Sequence, residues 1–355
     1  MKVPFVDLPA QWAPLKKDIL KDWEDILDHA SFVGGDYLEK FEAELSVFCN
    51  TRYAVGVSSG TSALVAILRG LEIGPGDTVA VQAETFIATA YAVKQVGAKV
   101  ELIPDWTEYT HLSEKLPSHW KAAIVVHMYG SIDNLVCQEL KNRCSQEGIY
   151  LIEDGAQALG AKGFGSYGIA TSTSFYPAKN LGCAGQGGAV LTNDGPLATK
   201  VNWYANQGHV ALGIHTTLGS NERLHSIQAA ILRHGLKMLP EWNANRISIG
   251  ERYNNEIVLR SPIVNEANCV YHLYPVTLNS PEERESLSQF LKDNNIANAR
   301  HYPYSISQQD GFRTAGCEYI EEMLSCSLTL PIFPTMSDEQ VEYVIDKVNE
   351  WLERK

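Results

Sequence analysis

Lys179 has the clearest potential for chemistry in this sequence. It follows a strand-like run, TSTSFYP (171–177), and precedes a glycine-rich loop that extends from Gly182 to Gly188. A lysine at the end of a strand, among small residues, can lose water from its amine and approach a planar ligand, as imine chemistry requires. The alternative is a surface lysine in a turn, which is the commoner setting for a lysine considered alone.

A second motif is suited to holding a phosphate group. The strand predicted at Tyr53–Val57 runs into SSGTSAL (58–64) and then into an apolar helical stretch. Free N–H groups and the positive end of a helix dipole attract phosphate at such a turn, with Gly60, Thr61 and Ser62 as the expected donors. The same turn could serve only as a helix N-cap. It is neither a Walker loop nor GxGxxG, so a nucleoside triphosphatase or an ordinary dinucleotide site is not indicated.

An acidic residue ends another predicted strand. Asp154 follows the apolar run IYLIE, and Gln157 lies three residues further on. In parallel α/β sheets ligands collect beyond the carboxyl ends of the strands, so both side chains could reach one ligand. Asp154 could be a structural cap, or it could keep a ring nitrogen protonated through an ion pair. A metal site is not expected, because no second carboxylate or histidine is positioned beside Asp154 as a metal partner.

The elements that would position these residues alternate between strand and helix from Tyr53 to about residue 161. This alternation predicts an α/β fold in which a mainly parallel, mixed sheet lies between layers of helices. After about residue 260 the pattern changes to a second, shorter α/β set. We therefore expect a large domain at residues 1–245 and a smaller C-terminal domain at 246–355.

Individual elements are also predicted toward the C-terminus. The segment 219–232 leads from a polar loop into a helix, and 242–257 is typical of a further helix. Strands are expected at 269–278 and 296–303, and the spacing of apolar residues at 337–352 predicts a closing amphipathic helix.

Composition restricts the class of protein. The 355 residues include 42 Asp and Glu against 29 Lys and Arg, and this formal net charge of −13 opposes binding to nucleic acid. Seven scattered cysteines without CxxC spacing argue against a disulfide framework and a zinc site. No apolar run approaches membrane-spanning length, and the start of the chain does not read as a signal peptide. We therefore expect a cytoplasmic protein with neither a nucleic-acid nor a membrane partner.

Together the motifs supply a helix N-terminus for a phosphate, an acid for a pyridinium and a lysine for an aldehyde, which are the functional handles of pyridoxal phosphate. At this point the sequence resembles the DegT/DnrJ/StrS-type sugar aminotransferases, within the fold type I group of pyridoxal-phosphate enzymes. The resemblance covers nearly the whole chain and includes FVGGDYLEKFE, ETFIATAYAV, IEDGAQALGA, SFYPAKNLGCAGQGGAVLTND and GSNERLHSIQAA. It implies a large pyridoxal-phosphate transferase domain with a smaller C-terminal one.

The resemblance also implies roles for single residues. Lys179 matches the lysine that bonds to the cofactor aldehyde and then moves the proton, and Asp154 matches the partner of the pyridinium nitrogen. Asn221 matches a residue that the neighbouring subunit donates to the phosphate, which implies a homodimer with shared active sites. The remaining cofactor contacts implied are Thr61, Ser62 and Ser174 at the phosphate, Phe86 on the ring face and Gln157 near the phenolic oxygen.

Candidate contacts to the substrate are Glu84, Tyr176, Arg223, His301 and Tyr302. Glu84 could instead cap a helix, and His301 and Tyr302 could be structural. The chain departs from the family pattern at two places on this side. Gln186 replaces an acid in the usual GDGGA, and HYPYSISQQ lacks the second histidine of the usual segment.

The activity implied is transfer of an amino group from L-glutamate to a 3- or 4-keto-6-deoxy sugar carried on a nucleotide diphosphate, with dTDP favoured. Such a step belongs to the biosynthesis of deoxyamino sugars for an O-antigen of lipopolysaccharide, another surface glycan or a glycosylated metabolite. A pyridoxal-phosphate-dependent sugar dehydratase on the same scaffold and a non-enzymatic regulator are the alternatives. In dehydratase relatives the lysine position is typically histidine, so Lys179 favours the aminotransferase.

Overall fold

A seven-stranded sheet is the centre of the molecule, in a computed structural model that describes residues 1–106, 109–110, 115–263 and 266–355. In chain order the strands are β1 (Tyr53–Val57), β2 (Thr78–Gln82), β3 (Lys99–Ile103), β4 (Trp120–Val126), β5 (Tyr150–Asp154), β6 (Ala170–Ser174) and β7 (Gly188–Thr192). Across the sheet the strand order is β1-β7-β6-β5-β4-β2-β3. Neighbouring strands are parallel except in the two pairs that involve β7, which confirms the mainly parallel, mixed sheet.

Helices cover both faces of this sheet, as the sequence predicts. Because side chains alternate along a strand, Ala123 and Val125 of β4 enter one core, whereas Ala122 and Ile124 enter the other. The first core is covered by α2 (Lys16–Asp28), α3 (Asp36–Phe48), α6 (Asn134–Glu147) and the first part of α8 (Ser226–Glu256). The second is covered by α4 (Gly60–Gly70), α5 (Ala88–Gln95) and α7 (Gly195–Ala205). A short helix, α1 (Leu8–Trp12), precedes α2.

A third core lies among the C-terminal elements. Tyr253 at the end of α8 packs there with Val344, Trp351 and Phe333. The elements around it are an antiparallel pair, β10 (Tyr274–Thr277) and β11 (Ser327–Leu330), with α9 (Pro281–Asp293), α10 (Glu318–Ser325) and α11 (Asp338–Glu353). A separate hairpin, β8 (His209–Ala211) and β9 (Ile214–His215), precedes α8.

The long helix α8 differs from the sequence prediction. The sequence predicts a loop that leads into a helix within 219–232 and a further helix at 242–257. The separation of the two helices is wrong, because Ser226–Glu256 is continuous with Pro240 inside it. Pro240 itself is exposed, whereas Leu239 and Trp242 on either side of it are buried in the first core and hold both turns of the helix in place. The expected division between residues 245 and 246 falls within α8, and the division into two domains stays a prediction.

The strands expected near the C-terminus are only partly present. The segment 296–303 forms isolated bridges at Ile296 and Ala299 rather than a strand, so that prediction is wrong. Within this segment the Asn298 side chain accepts a hydrogen bond from the Ser288 hydroxyl and donates one to the Ser288 carbonyl. Side-chain hydrogen bonds of this kind compete with the backbone hydrogen bonds between paired strands. Within 269–278 only Tyr274–Thr277 is extended, and its partner β11 was not foreseen.

Candidate active site

Lys179 lies in the loop that follows β6, partly buried rather than on the open surface. A turn fixes its backbone, because its N–H donates to the Tyr176 carbonyl at 2.8 Å. Burial lowers the pKa of its amine to about 8, although the charge of the nearby Asp154 carboxylate acts in the opposite direction and raises that pKa. Lys179 can therefore lose its proton near neutral pH, which a nucleophilic amine and a proton carrier both require.

Asp154 is buried at the carboxyl end of β5. One of its oxygens accepts from the Thr89 hydroxyl at 2.7 Å, and the other accepts from the Ala156 N–H at 3.1 Å. The Ser172 hydroxyl of β6 lies 3.4 Å from the same second oxygen. These donors orient the carboxylate, and a buried carboxylate near a lysine suits a protonated ring nitrogen. Thr89 was not recognised in the sequence, although it lies three residues after Phe86, about one helical turn.

The first residues of α4 meet the ends of β6 and β7. A Cβ added to Gly60 would lie 2.8 Å from the Ser174 Cβ, and one added to Gly188 would lie 2.6 Å from the Gly60 nitrogen. Only glycine allows this close approach. The structure thus places Gly60, Thr61 and Ser174 at one helix N-terminus, as a phosphate site requires.

Ser62 has a different environment from that expected. Its N–H donates to the Ser59 hydroxyl oxygen, the side-chain N-cap of α4, and its hydroxyl donates to Glu222 at 2.7 Å. Ser58 also donates to Glu222, and Ser220 does so at 2.9 Å. These bonds lower the pKa of Glu222, so a carboxylate ties the 220–222 segment to the start of α4. The role of Ser62 as a phosphate contact stays a prediction, and Glu222 was not foreseen.

Hydrogen bonds connect five residues near Lys179 into a group that we name the Tyr129 network, which consists of Glu84, Tyr129, Gln157, His301 and Tyr302. The Gln157 amide oxygen accepts from the Tyr129 N–H at 2.7 Å, and its nitrogen donates to the Tyr302 hydroxyl oxygen at 2.9 Å. The Tyr129 hydroxyl lies 2.6 Å from Glu84 Oε1 and 3.1 Å from the His301 carbonyl oxygen. The network therefore joins four of the predicted site residues through Tyr129, which was not predicted.

The aromatic rings of Phe86 and Tyr302 lie close to each other. Their ring centres are 5.7 Å apart, and Phe86 is 54% exposed. An exposed phenylalanine ring can pack on the face of a planar ligand. Burial raises the pKa of the Tyr302 hydroxyl, which keeps it protonated.

His301 is partly buried, with its ring stacked on Phe5 at 5.6 Å between centres. Its Nδ1 lies 3.1 Å from the Thr329 hydroxyl. Burial and the positive charge of Lys179 lower the pKa of His301 to about 4, so the imidazole is neutral at pH 7. A neutral imidazole does not repel the Lys179 ammonium.

Asn180, the residue after Lys179, is held by a set of buried hydrogen bonds. The Asn180 amide donates to the Val270 carbonyl at 3.1 Å and to Asn243 at 2.8 Å, so its oxygen faces His272 Nδ1 at 3.0 Å. Nδ1 must therefore carry the proton. Burial, with the charges of Lys179 and Arg246, lowers the pKa of His272 well below its usual value. None of these residues was singled out in the sequence, because their neighbours are distant along the chain.

Tyr176, Asn221 and Arg223 are the remaining candidates. Tyr176 is 49% exposed, and its N–H donates to the Ser174 hydroxyl at 3.3 Å. Asn221 is exposed, with its amide oxygen 3.4 Å from an Arg223 nitrogen. Arg223 is held against the end of β1 by a backbone bridge to Val57. Contacts of Tyr176, Asn221 and Arg223 with cofactor or substrate stay predictions.

Two wider features concern the part of the chain that the structure describes. None of its helices is long and apolar enough to cross a membrane. Within the same residues, no group of three or more His, Cys, Asp or Glu is arranged to hold a metal ion.

The residues brought together fit pyridoxal phosphate in their chemistry. The start of α4 offers N–H groups to a phosphate, Asp154 offers a buried carboxylate to a ring nitrogen, and Lys179 offers an amine of lowered pKa to an aldehyde. Fold and site together define a pyridoxal-phosphate-dependent aminotransferase, and pyridoxal phosphate is its cofactor.

Comparison with known proteins identifies the family. Residues 14–349 match the DegT/DnrJ/EryC1/StrS aminotransferase family, and the chain belongs to that family. It is 36% identical to the UDP-N-acetyl-3-dehydro-alpha-D-glucosamine 3-aminotransferase of Acidithiobacillus ferrooxidans, over 96% of this chain and 95% of that protein. It is 34% identical to the dTDP-3-amino-3,4,6-trideoxy-alpha-D-glucose transaminase of Streptomyces venezuelae, over 99% and 97%.

A solved structure agrees with this assignment. NtdA of Bacillus subtilis, with the cofactor PMP bound, superposes with a TM-score of 0.91 at 26% identity, over 99% of this chain and 85% of that one. The predicted family and fold class are thereby confirmed.

Proposed function

We propose that the protein transfers an amino group from L-glutamate to a keto-sugar carried on a nucleotide diphosphate. The observation that carries this proposal is the partly buried Lys179, whose amine lies close enough to Asp154 for the carboxylate to raise its pKa. Both relatives described above act on nucleotide-linked sugars by their names, one on a dTDP-sugar and one on a UDP-sugar. This supports a sugar nucleotide as the amino acceptor.

The residues divide the work between binding and proton transfer. When bound, pyridoxal phosphate supplies an electron sink for the carbon whose amino group is exchanged. Lys179 Nζ takes the proton from that carbon and returns it, which its lowered pKa allows near neutral pH. Asp154 keeps the ring nitrogen protonated, and the start of α4 holds the phosphate. Phe86 and Tyr302 exclude water from one side of the site.

The finer assignments are a 3- or 4-keto-6-deoxy sugar, with dTDP favoured over UDP or GDP. We place the reaction in deoxyamino-sugar biosynthesis, for an O-antigen of lipopolysaccharide, another surface glycan or a glycosylated metabolite, in the cytoplasm. We also propose a homodimer with shared active sites, to which Asn221 contributes across the interface. The exposure of Asn221 supports this, because a residue that reaches a neighbouring subunit must lie at the surface.

A panel of keto-sugar nucleotides tests the proposal. The purified holoenzyme is incubated with L-glutamate and with 3-keto and 4-keto sugars on dTDP, UDP and GDP, and products are identified by mass spectrometry. We expect one amino-sugar nucleotide and one equivalent of 2-oxoglutarate. A deoxygenated sugar would instead indicate the dehydratase, which Lys179 disfavours. Absence of any amino-sugar product across the panel would overturn the proposal.

A further inference from the structure

The Tyr129 hydroxyl has two hydrogen-bond partners that bear on the protonation state of Glu84. The Tyr129 hydroxyl lies 2.6 Å from Glu84 Oε1 and 3.1 Å from the His301 carbonyl oxygen. A phenol has one hydrogen to donate, and an ionised carboxylate and a carbonyl only accept. With Glu84 ionised, one hydrogen would face two acceptors. A proton on Glu84 supplies the second hydrogen that satisfies both contacts.

We propose that Glu84 is protonated in the working enzyme and donates to Tyr129, so that Tyr129 donates to the His301 carbonyl and positions the His301–Tyr302 segment at the site. Glu84 is then a positioning residue that acts through Tyr129. When Glu84 ionises, Tyr129 turns its hydrogen to the carboxylate and the His301 carbonyl loses its donor. This inference rests on the proposed function only for the choice of substrate in the assay.

The surroundings of Glu84 support this protonation state. Among the described residues, the titratable groups that act on it are Tyr129, Asp105 and Tyr302. Burial raises the pKa of Glu84 from its ordinary 4.5 to about 7, the Tyr129 hydrogen bond lowers it, and the charge of Asp105 raises it. The carboxyl therefore keeps its proton well above the pH at which an exposed glutamate loses it, and it ionises as the pH rises through about 7.

The direction of the remaining hydrogen bonds carries the effect to the site. The Gln157 oxygen accepts from a backbone N–H, which fixes the amide, so its nitrogen must donate to the Tyr302 oxygen. The Tyr302 oxygen accepts this hydrogen bond, so the hydrogen of the Tyr302 hydroxyl is not used in that contact. The network thus ends in a hydroxyl donor next to Phe86. Tyr129 links both branches, so its hydroxyl orientation affects the carbonyl of His301 while its N–H holds Gln157.

The test compares Glu84→Gln with Glu84→Ala in the holoenzyme. A glutamine carries hydrogens at every pH and mimics the protonated acid, whereas alanine removes the donor to Tyr129. We expect kcat/KM for the keto-sugar nucleotide to be at least about tenfold higher in Glu84→Gln than in Glu84→Ala, chiefly through KM. We also expect the alkaline fall of kcat/KM to move to higher pH in Glu84→Gln than in the wild type.

A readout independent of activity is the pH dependence of the melting temperature. The pKa of Glu84 is higher in the folded state, so the folded protein binds this proton more tightly. Stability due to this group is present at low pH, falls as pH rises from about 4.5 to about 7, and is absent above. Relative to Glu84→Gln, the wild type should lose melting temperature across that window.

Glu42 provides a matched control in α3. It is also an acid whose pKa burial raises to about 7, and it accepts from the Gly56 N–H, away from the Tyr129 network. Glu42→Gln should change the pH dependence of the melting temperature but leave the alkaline limb of kcat/KM in place. This separates an effect of the network from a general effect of removing a buried acid.

Two results would overturn the inference. If Glu84→Gln is as impaired as Glu84→Ala, a carboxylate is required and the proton is misplaced. If Glu84→Gln keeps the wild-type alkaline limb, ionisation of Glu84 does not control the segment. If no keto-sugar nucleotide reacts but the melting temperatures differ as expected, the proposed function fails while the protonation of Glu84 stands.

Discussion

Two sides of the candidate site are built by different means. On the cofactor side, Asp154 ends β5, Lys179 follows β6 and Gly60 starts the helix after β1, so the sheet delivers all three to one edge. The pairing of Asp154 with Ser172 in neighbouring strands fixes part of this geometry. In the Tyr129 network, by contrast, two of the hydrogen bonds join residues that are 145 and 172 positions apart in the sequence. The cofactor side follows from topology, whereas the network depends on packing of the C-terminal segment.

If this comparison is correct, the largest loss of activity comes from Lys179. We expect Lys179→Ala to lower turnover by at least about 10³-fold, because the substitution removes the amine that moves the proton. Cofactor should still bind in part through the phosphate and Asp154. Single-turnover rates and retained cofactor absorbance after desalting measure both effects, with Lys162→Ala on the surface as the control. Turnover near the wild-type rate in Lys179→Ala would remove this residue from the mechanism.

Asp154→Asn should have the next largest effect. The amide oxygen can accept from the Ala156 N–H, with the NH2 group toward the Thr89 hydroxyl oxygen, but the charge that holds the ring nitrogen protonated is lost. We therefore expect kcat to fall by roughly 10²-fold while cofactor remains bound. Steady-state kinetics with saturating cofactor measure this, with the exposed Asp310→Asn for comparison. Equal kcat in both variants would show that Asp154 is only a structural cap.

The same pair predicts a pH dependence of cofactor uptake. Burial lowers the pKa of Lys179 to about 8, so the rate of covalent uptake by the apoenzyme should rise with pH and level off above that value. Asp154 raises this pKa, so Asp154→Asn should move the midpoint to lower pH. Stopped-flow absorbance from about pH 6 to about pH 9 records the midpoints. A midpoint that moves upward, or stays in place, would contradict the coupling.

The sequence predicted the two sides unequally. The residues of the cofactor side lie at the end of a strand, in the loop after one or at the start of a helix, so local patterns indicate both their type and their edge of the sheet. Tyr129 also lies just beyond a strand, β4, but no local pattern indicates its contact with Glu84 or the contact of His272 with Asn180, because these partners are far apart along the chain. The continuity of α8 was missed because Pro240 predicts a break when its exposed position is unknown. Long-range packing contacts of this kind cannot be predicted from the periodicity of a single sequence.

The smallest expected effect tests whether the cofactor side is as independent of the C-terminal elements as this comparison implies. His272 donates through Nδ1 to the Asn180 oxygen, directly behind Lys179. His272→Leu leaves that buried oxygen unsatisfied and should lower the free energy of unfolding by roughly 1–3 kcal/mol. His272→Asn places an amide donor near the position of Nδ1 and should recover part of this loss in urea denaturation. Equal destabilisation by both substitutions would show that packing, rather than the hydrogen bond, supports the Lys179 loop.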